Sequence, residues 1–201
     1  MRGHRSESGS TMGHSLPLKR IPGIKDFWVL IIGECLLFSL FFMTYMVDRG
    51  GDKALYESSQ QAFNRNLGAI NTLILILGSW CVAQALSKMR YGRAKSSARY
   101  LALACGCGVA FFSIKVFEYQ IYFSRGLYPT TNDFFMFYFI LTMIHLVHVF
   151  IGIIILLALR YGVARGRYSK ENTSVMECGC IYWHMVDLIW LFIFALFYLL
   201  R

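Results

Sequence analysis

Residues Phe134 to Leu159 read FFMFYFILTMIHLVHVFIGIIILLAL, with no Asp, Glu, Lys or Arg among them. A helix of that length is roughly 39 Å long at about 1.5 Å per residue, enough to cross a hydrocarbon core of about 30 Å. The run is continuous rather than alternating, which favours a helix over a barrel strand. Four more stretches have the same character, at about 27–47, 68–88, 98–123 and 178–200. Pro17, Pro22 and Pro129 all lie outside the five. The expected fold is all-α, an integral membrane bundle of five transmembrane helices over residues 25–201. Residues 1–24 are polar, with Gly, Ser and His, and are expected to be a disordered cytoplasmic tail. The first apolar run is a full span without a small-residue cleavage pattern, which argues against a signal peptide.

The formal net charge of +9 invites a nucleic-acid reading, but its distribution points to a membrane. Arg2, Arg5, Lys19, Arg20 and Lys25 precede the first span. Lys88, Arg90, Arg93, Lys95 and Arg99 surround the second connection, and Arg160, Arg165, Arg167 and Lys170 the fourth. Arg49, Lys53, Arg65, Arg125 and Arg201 fall on the opposite side. The positive-inside rule then places the N-terminus in the cytoplasm and the C-terminus outside. No nucleic-acid partner is expected, and the basic excess suits contact with anionic membrane lipids.

The connection 48–67 is the longest, and Leu55, Ser59, Phe63 and Leu67 recur in it at the spacing of a short interfacial helix. Each of the two Cys-Gly-Cys pairs, Cys105 with Cys107 and Cys178 with Cys180, sits at i, i+2. Those positions do not face each other on a helix, so packing is expected rather than chelation. Met43, Met46, Met136 and Met143 form no clustered repeat and are read as packing residues.

Ionisable groups at membrane depth are expensive and mark functional or tightly specified sites. Glu34 lies roughly 10 Å inside the first span, and His184 and Asp187 roughly 10–15 Å inside the last, at about 1.5 Å per residue. His148 reaches a comparable depth on the fourth span, with His145 one turn further out. Together Glu34, His148, His184 and Asp187 are expected to form one layer. Three readings of it stand: a metal site from His-x-x-His and His-x-x-Asp, a proton path through Glu34 and the histidines, or a satisfied hydrogen-bond network that fixes register. The last is preferred. Lys115 and Glu118 are spaced i, i+3 on the third span and are expected to pair. Asn71 and Thr72 are candidates for hydrogen bonds between helices.

Five motifs in chain order then carry a resemblance over residues 26–200. They are Gly33-Glu34-Cys35-Leu36-Leu37-Phe38, Leu67 through Thr72, Phe117-Glu118-Tyr119, His145-Leu146-Val147-His148-Val149 with Gly152, and Glu177 followed by Tyr182-Trp183-His184 and Asp187. The chain resembles subunit III of the haem-copper oxidases. Within that family, Ile114 to Tyr119, Thr131 to Met136, Met185 to Leu188 and Ile21-Pro22-Gly23 look more like the NorE-type protein associated with nitric oxide reductase. Subunit III of a bacterial cytochrome c or quinol oxidase is the alternative. The chain departs from longer oxidase subunits by lacking two N-terminal spans, and Lys115 stands in a region where the family often carries Gln.

The resemblance implies a non-catalytic accessory subunit of a respiratory complex in a bacterial inner membrane, supporting assembly, stability or proton uptake. It implies no catalytic residues, metal or haem in this chain. Haem and metal are expected in the partner catalytic subunit, and a bound phospholipid is a candidate ligand. Glu34 matches the family's buried carboxylate and carries the expected proton-uptake role. From other classes, a small transporter or a metal-delivery protein using His145, His148 and His184 remains a rival.

Overall fold

The computed structural model describes residues 25–169 and 172–200, which fold as an all-helical bundle. The elements are α1 (Lys25–Gly51), α2 (Lys53–Gln60), α3 (Arg65–Arg90), α4 (Ala94–Ser124), α5 (Asp133–Ala164) and α6 (Ser174–Phe194), which continues as a π-helical turn over Ala195–Leu199. Five of these, all but α2, are long and apolar enough to cross a membrane. The tail 1–24, with its Ile21-Pro22-Gly23 motif, lies outside the described residues.

The helices run past the apolar stretches that announce them, because their polar ends also find partners. Asn64 Oδ1 accepts the amides of Asn66 and Leu67 at the start of α3, and Asn132 Oδ1 accepts that of Phe135 at the start of α5. Three helices stop the same way. Gly92, Gly126 and Gly166 follow α3, α4 and α5 at φ of 71°, 76° and 68°. After each, the next amide reaches back to a carbonyl of the closing turn: Arg93 to Lys88, Leu127 to Tyr122 and Arg167 to Gly162, at 2.9, 3.0 and 3.0 Å. A β-carbon would strain this left-handed closure. The short helix expected between the first two spans is α2; it ends at Gln60, so Phe63 belongs to the turn and Leu67 to α3.

Helices α3, α4 and α5 pack as sequential neighbours, and α6 closes the bundle against α3 and α5. Small residues let the backbones approach, as in other membrane bundles. Gly78, Gly108 and Gly152, one each from α3, α4 and α5, surround the buried indole of Trp183. A β-carbon at Gly108 would lie 2.8 Å from Trp183 Cη2, and one at Gly152 3.1 Å from its Cε3. Helix α1 sits outside this core. Only 11% of its most apolar stretch is buried, against 56% for the last span.

The end of the bundle that holds the turn between α1 and α2 is bound by those two helices. A π-helical turn leaves carbonyls without their α-helical donors. Leu196 O accepts from Tyr45 Oη at 3.4 Å and Gln60 Nε2 at 3.0 Å, and Leu200 O accepts from Arg49 Nη2 at 3.4 Å. Tyr56 donates a short bond to Asp48 and packs edge-on against Tyr45. Burial, and then the Asp48 carboxylate, push the Tyr56 phenol well above its usual range, so it stays a donor at physiological pH.

Replacing Gly108 by Val is expected to destabilise the bundle by about 1–3 kcal/mol through overpacking against Trp183. Thermal unfolding in detergent measures this, and adding Trp183→Leu to the Gly108→Val chain should recover part of the loss.

Candidate functional site

The described residues hold three polar clusters inside the bundle. The most completely bonded is centred on Lys115 and Glu118 of α4, both fully buried. Lys115 Nζ donates to Glu118 Oε2 at 2.7 Å, Tyr138 Oη at 2.8 Å and Tyr198 Oη at 3.3 Å, using all three of its protons. Glu118 Oε1 accepts from Tyr122 and from Tyr198, each at 2.6 Å. With the Tyr198 proton committed there, Tyr138 donates to Tyr198 across 3.2 Å. The Lys115 ammonium also lies over the rings of Tyr138 at 4.9 Å and Trp190 at 5.2 Å. The expected i, i+3 pair is therefore formed. The sequence did not reveal the aromatic enclosure, which depends on the π-helical turn carrying Tyr198 inward. Tyrosines 119, 122 and 138 in otherwise apolar spans were the available signal.

The second cluster joins α1 to α5. His148 Nδ1 lies 2.8 Å from Ile144 O, and a carbonyl only accepts, so this nitrogen carries the proton. His148 Nε2 lies 3.2 Å from Glu34 Oε2. That contact holds one shared proton, as imidazolium with carboxylate or as imidazole with carboxylic acid. Phe38 packs edge-on against the His148 ring, with centroids 5.5 Å apart. The Glu34 side chain remains 28% exposed on the sparsely covered α1.

The third cluster lies between α3 and α6. Ser79 Oγ meets His184 Nδ1 at 2.5 Å. Asp187, 7% exposed, lies beside Ser79 and Trp183 without reaching hydrogen-bond geometry with either. Thr72 Oγ1 accepts from Trp190 Nε1 at 3.0 Å, which gives the α3–α6 bond expected of it, whereas Asn71 is buried without a partner among the described residues.

The single layer expected from depth is thus divided. Helix α6 directs His184 and Asp187 toward α3, while Glu34 and His148 meet between α1 and α5. His145 is separate again, fully buried between the rings of Phe111 and Trp190 with both nitrogens unbonded among the described residues. Depth fixes position along a helix but not rotation about it. Among the described residues no group of three His, Cys, Asp or Glu side chains converges, so the metal arrangement considered for the histidines is not assembled. Met43, Met46, Met136 and Met143 lie on the outer surface rather than in the core, leaving lipid or a partner as their packing surface.

Breaking the buried pair on one side should be worse than removing it entirely. Lys115→Met alone is expected to cost about 3–5 kcal/mol by stranding the carboxylate, and Lys115→Met with Glu118→Gln considerably less. A double-mutant cycle on unfolding in detergent tests this, and additivity would show that the pair is not coupled.

The profile described as "Cytochrome c oxidase subunit III" matches residues 7–201. The chain is 28% identical over 177 residues to the cytochrome bo(3) ubiquinol oxidase subunit 3 of Pseudomonas putida, covering 88% of this chain and 85% of that protein. It is 29% identical over 175 residues to a probable quinol oxidase subunit 3 of Staphylococcus aureus (strain USA300), covering 87% of each. With five long apolar helices and a family match over nearly its whole length, the chain belongs to the cytochrome c oxidase subunit III family.

Proposed function

We propose that the chain is the non-catalytic third subunit of a bacterial haem-copper quinol oxidase, resident in the inner membrane with its N-terminus in the cytoplasm. Both relatives described above are quinol oxidase subunits, which supports that branch. In this reading haem and copper belong to the catalytic subunit. This chain supplies a helical buttress and a protonatable pair beside it.

The observation that carries the reading is the Glu34–His148 pair on a helix that its own bundle leaves largely uncovered. A carboxyl and an imidazole sharing one proton can hand it on with little change in net charge. The partly exposed Glu34 sits where a neighbouring subunit would meet it. The pair supports proton uptake by the complex, and α1 supplies surface for assembly. A NorE-type role beside nitric oxide reductase is a second reading, favoured by the Ile114 to Tyr119 and Thr131 to Met136 segments. Membrane lipids complete the surroundings of α1 in either case.

Affinity purification of the tagged chain from native membranes, with a haem spectrum and mass spectrometry, tests the assignment. A co-purified quinol oxidase catalytic subunit is the expected result. A nitric oxide reductase would favour the second reading, and a colourless protein without partners would defeat both. In the assembled complex, Glu34→Gln is expected to shift the pH dependence of turnover and shorten the active lifetime. Unchanged pH dependence and lifetime would remove Glu34 from proton uptake.

A further inference from the structure

Two hollows lie along one seam between α3 and α6. The larger, about 660 Å³, is bounded by Ser87 and Arg90 of α3 and Glu177 of α6, and the smaller, about 200 Å³, by Thr72, Ser79 and Asp187. Their α3 residues recur at intervals of three and four, so they share one helix face. His184 lines both. The seam therefore runs from the Arg90–Glu177 ion pair, 3.0 Å apart at the basic end of the bundle, past the His184–Ser79 contact to Asp187. It stops where Trp190 bonds Thr72, with the other side of the indole turned to Lys115. Counted from Cys178, where the apolar span begins, at about 1.5 Å per residue, Asp187 lies roughly 14 Å deep, near the middle of a core of about 30 Å.

Both Asp187 oxygens and Trp183 Nε1 are buried without a partner among the described residues. A hydrocarbon chain in the inner hollow, which Asp187 lines, would leave the carboxyl unbonded, at high cost. Water would satisfy it: most of the hollow's lining is apolar, but Thr72, Ser79, His184 and Asp187 give it a polar side, and it is large enough to hold water. We propose that the α3–α6 seam is a water-filled half-channel, open at the basic face and closed at Trp190–Thr72, in which His184 separates an outer vestibule from an inner chamber ending at Asp187. Its ligands are water and the proton that water delivers. It gives Asp187 exchange with one side of the membrane only, by a route separate from the Glu34–His148 pair. The inference rests on this chain's own geometry and not on the identity of the catalytic partner.

Substituted-cysteine labelling of the full-length chain in native membranes tests it, in a Cys180→Ala background because Cys180 also lines the vestibule. The probe is a small, membrane-impermeant, cationic methanethiosulfonate, which needs a hydrated thiolate. Ser87→Cys and Ser79→Cys should react from the basic face. Leu77→Cys, on the outward surface of α3 at similar depth, should react about 100-fold more slowly because hydrocarbon suppresses the thiolate. Leu75→Cys, buried in the same inner hollow, replaces Ser79→Cys should that variant not accumulate. Adding Asp187→Leu, which fills the chamber, should abolish the deep reaction and spare Ser87→Cys. The proposal is overturned if the deep cysteines react as slowly as Leu77→Cys, which means lipid or protein fills the seam, or if they react from the opposite face. Either result leaves the co-purification outcome untouched.

Discussion

A lysine ammonium held inside a lipid-facing bundle sets the terms for the rest of this structure. Lys115 cannot stay charged there without acceptors, and Glu118 one turn away supplies only one. The others come from α5 and from the far end of α6, so three helices must arrive in a single register for the cluster to close. A buried ion pair is weak evidence of net stability, because desolvation offsets much of the attraction. Its effect here is selective. Sliding α6 by one residue would withdraw Tyr198 from both the ammonium and Glu118, so other packings of the same apolar faces lose far more than the observed one.

The π-helical turn meets that requirement. The widened turn brings Tyr198 to the charge pair, and the carbonyls it leaves unbonded are met by Tyr45, Gln60 and Arg49. Deeper in the bundle, geometry rather than charge does the aligning. Three glycines from three helices form the slot for Trp183, and the same stretch of α6 presents His184 and Asp187 to α3. Packing of α6 thus decides which polar groups meet, and the protonatable pair at α1 lies apart from those on the α3 side.

Much of this was legible in the chain. Uninterrupted apolar runs announce the five long helices, and the i, i+3 spacing of Lys115 and Glu118 announces their bond. The family emerges from short motifs around Glu34, Glu118, His148 and His184. What could not be read is whatever depends on rotation about a helix axis. His145 and His148 share a motif yet face different neighbours, and His184 faces Ser79 rather than Glu34 and His148. The π-helical turn was equally hidden, since Ala195 to Leu199 is as apolar as the α-helix before it. The partner it delivers Tyr198 to lies some eighty residues earlier in the chain, at Lys115.

The bonds from Tyr45 and Arg49 to Leu196 and Leu200 each span 151 positions of the chain. A membrane protein made on the ribosome presents its helices to the bilayer in order, and these contacts tie nearly the first to nearly the last. Until the final turns emerge, α4 resides in lipid with its ammonium only partly satisfied, and α1 has little to rest against. The fold therefore closes only once the last turns of α6 are in place. A chain lacking those turns would carry an under-bonded charge and strand the donors of Tyr45, Gln60 and Arg49, features by which a cell's proteolytic surveillance separates unfinished copies from those ready to join a complex.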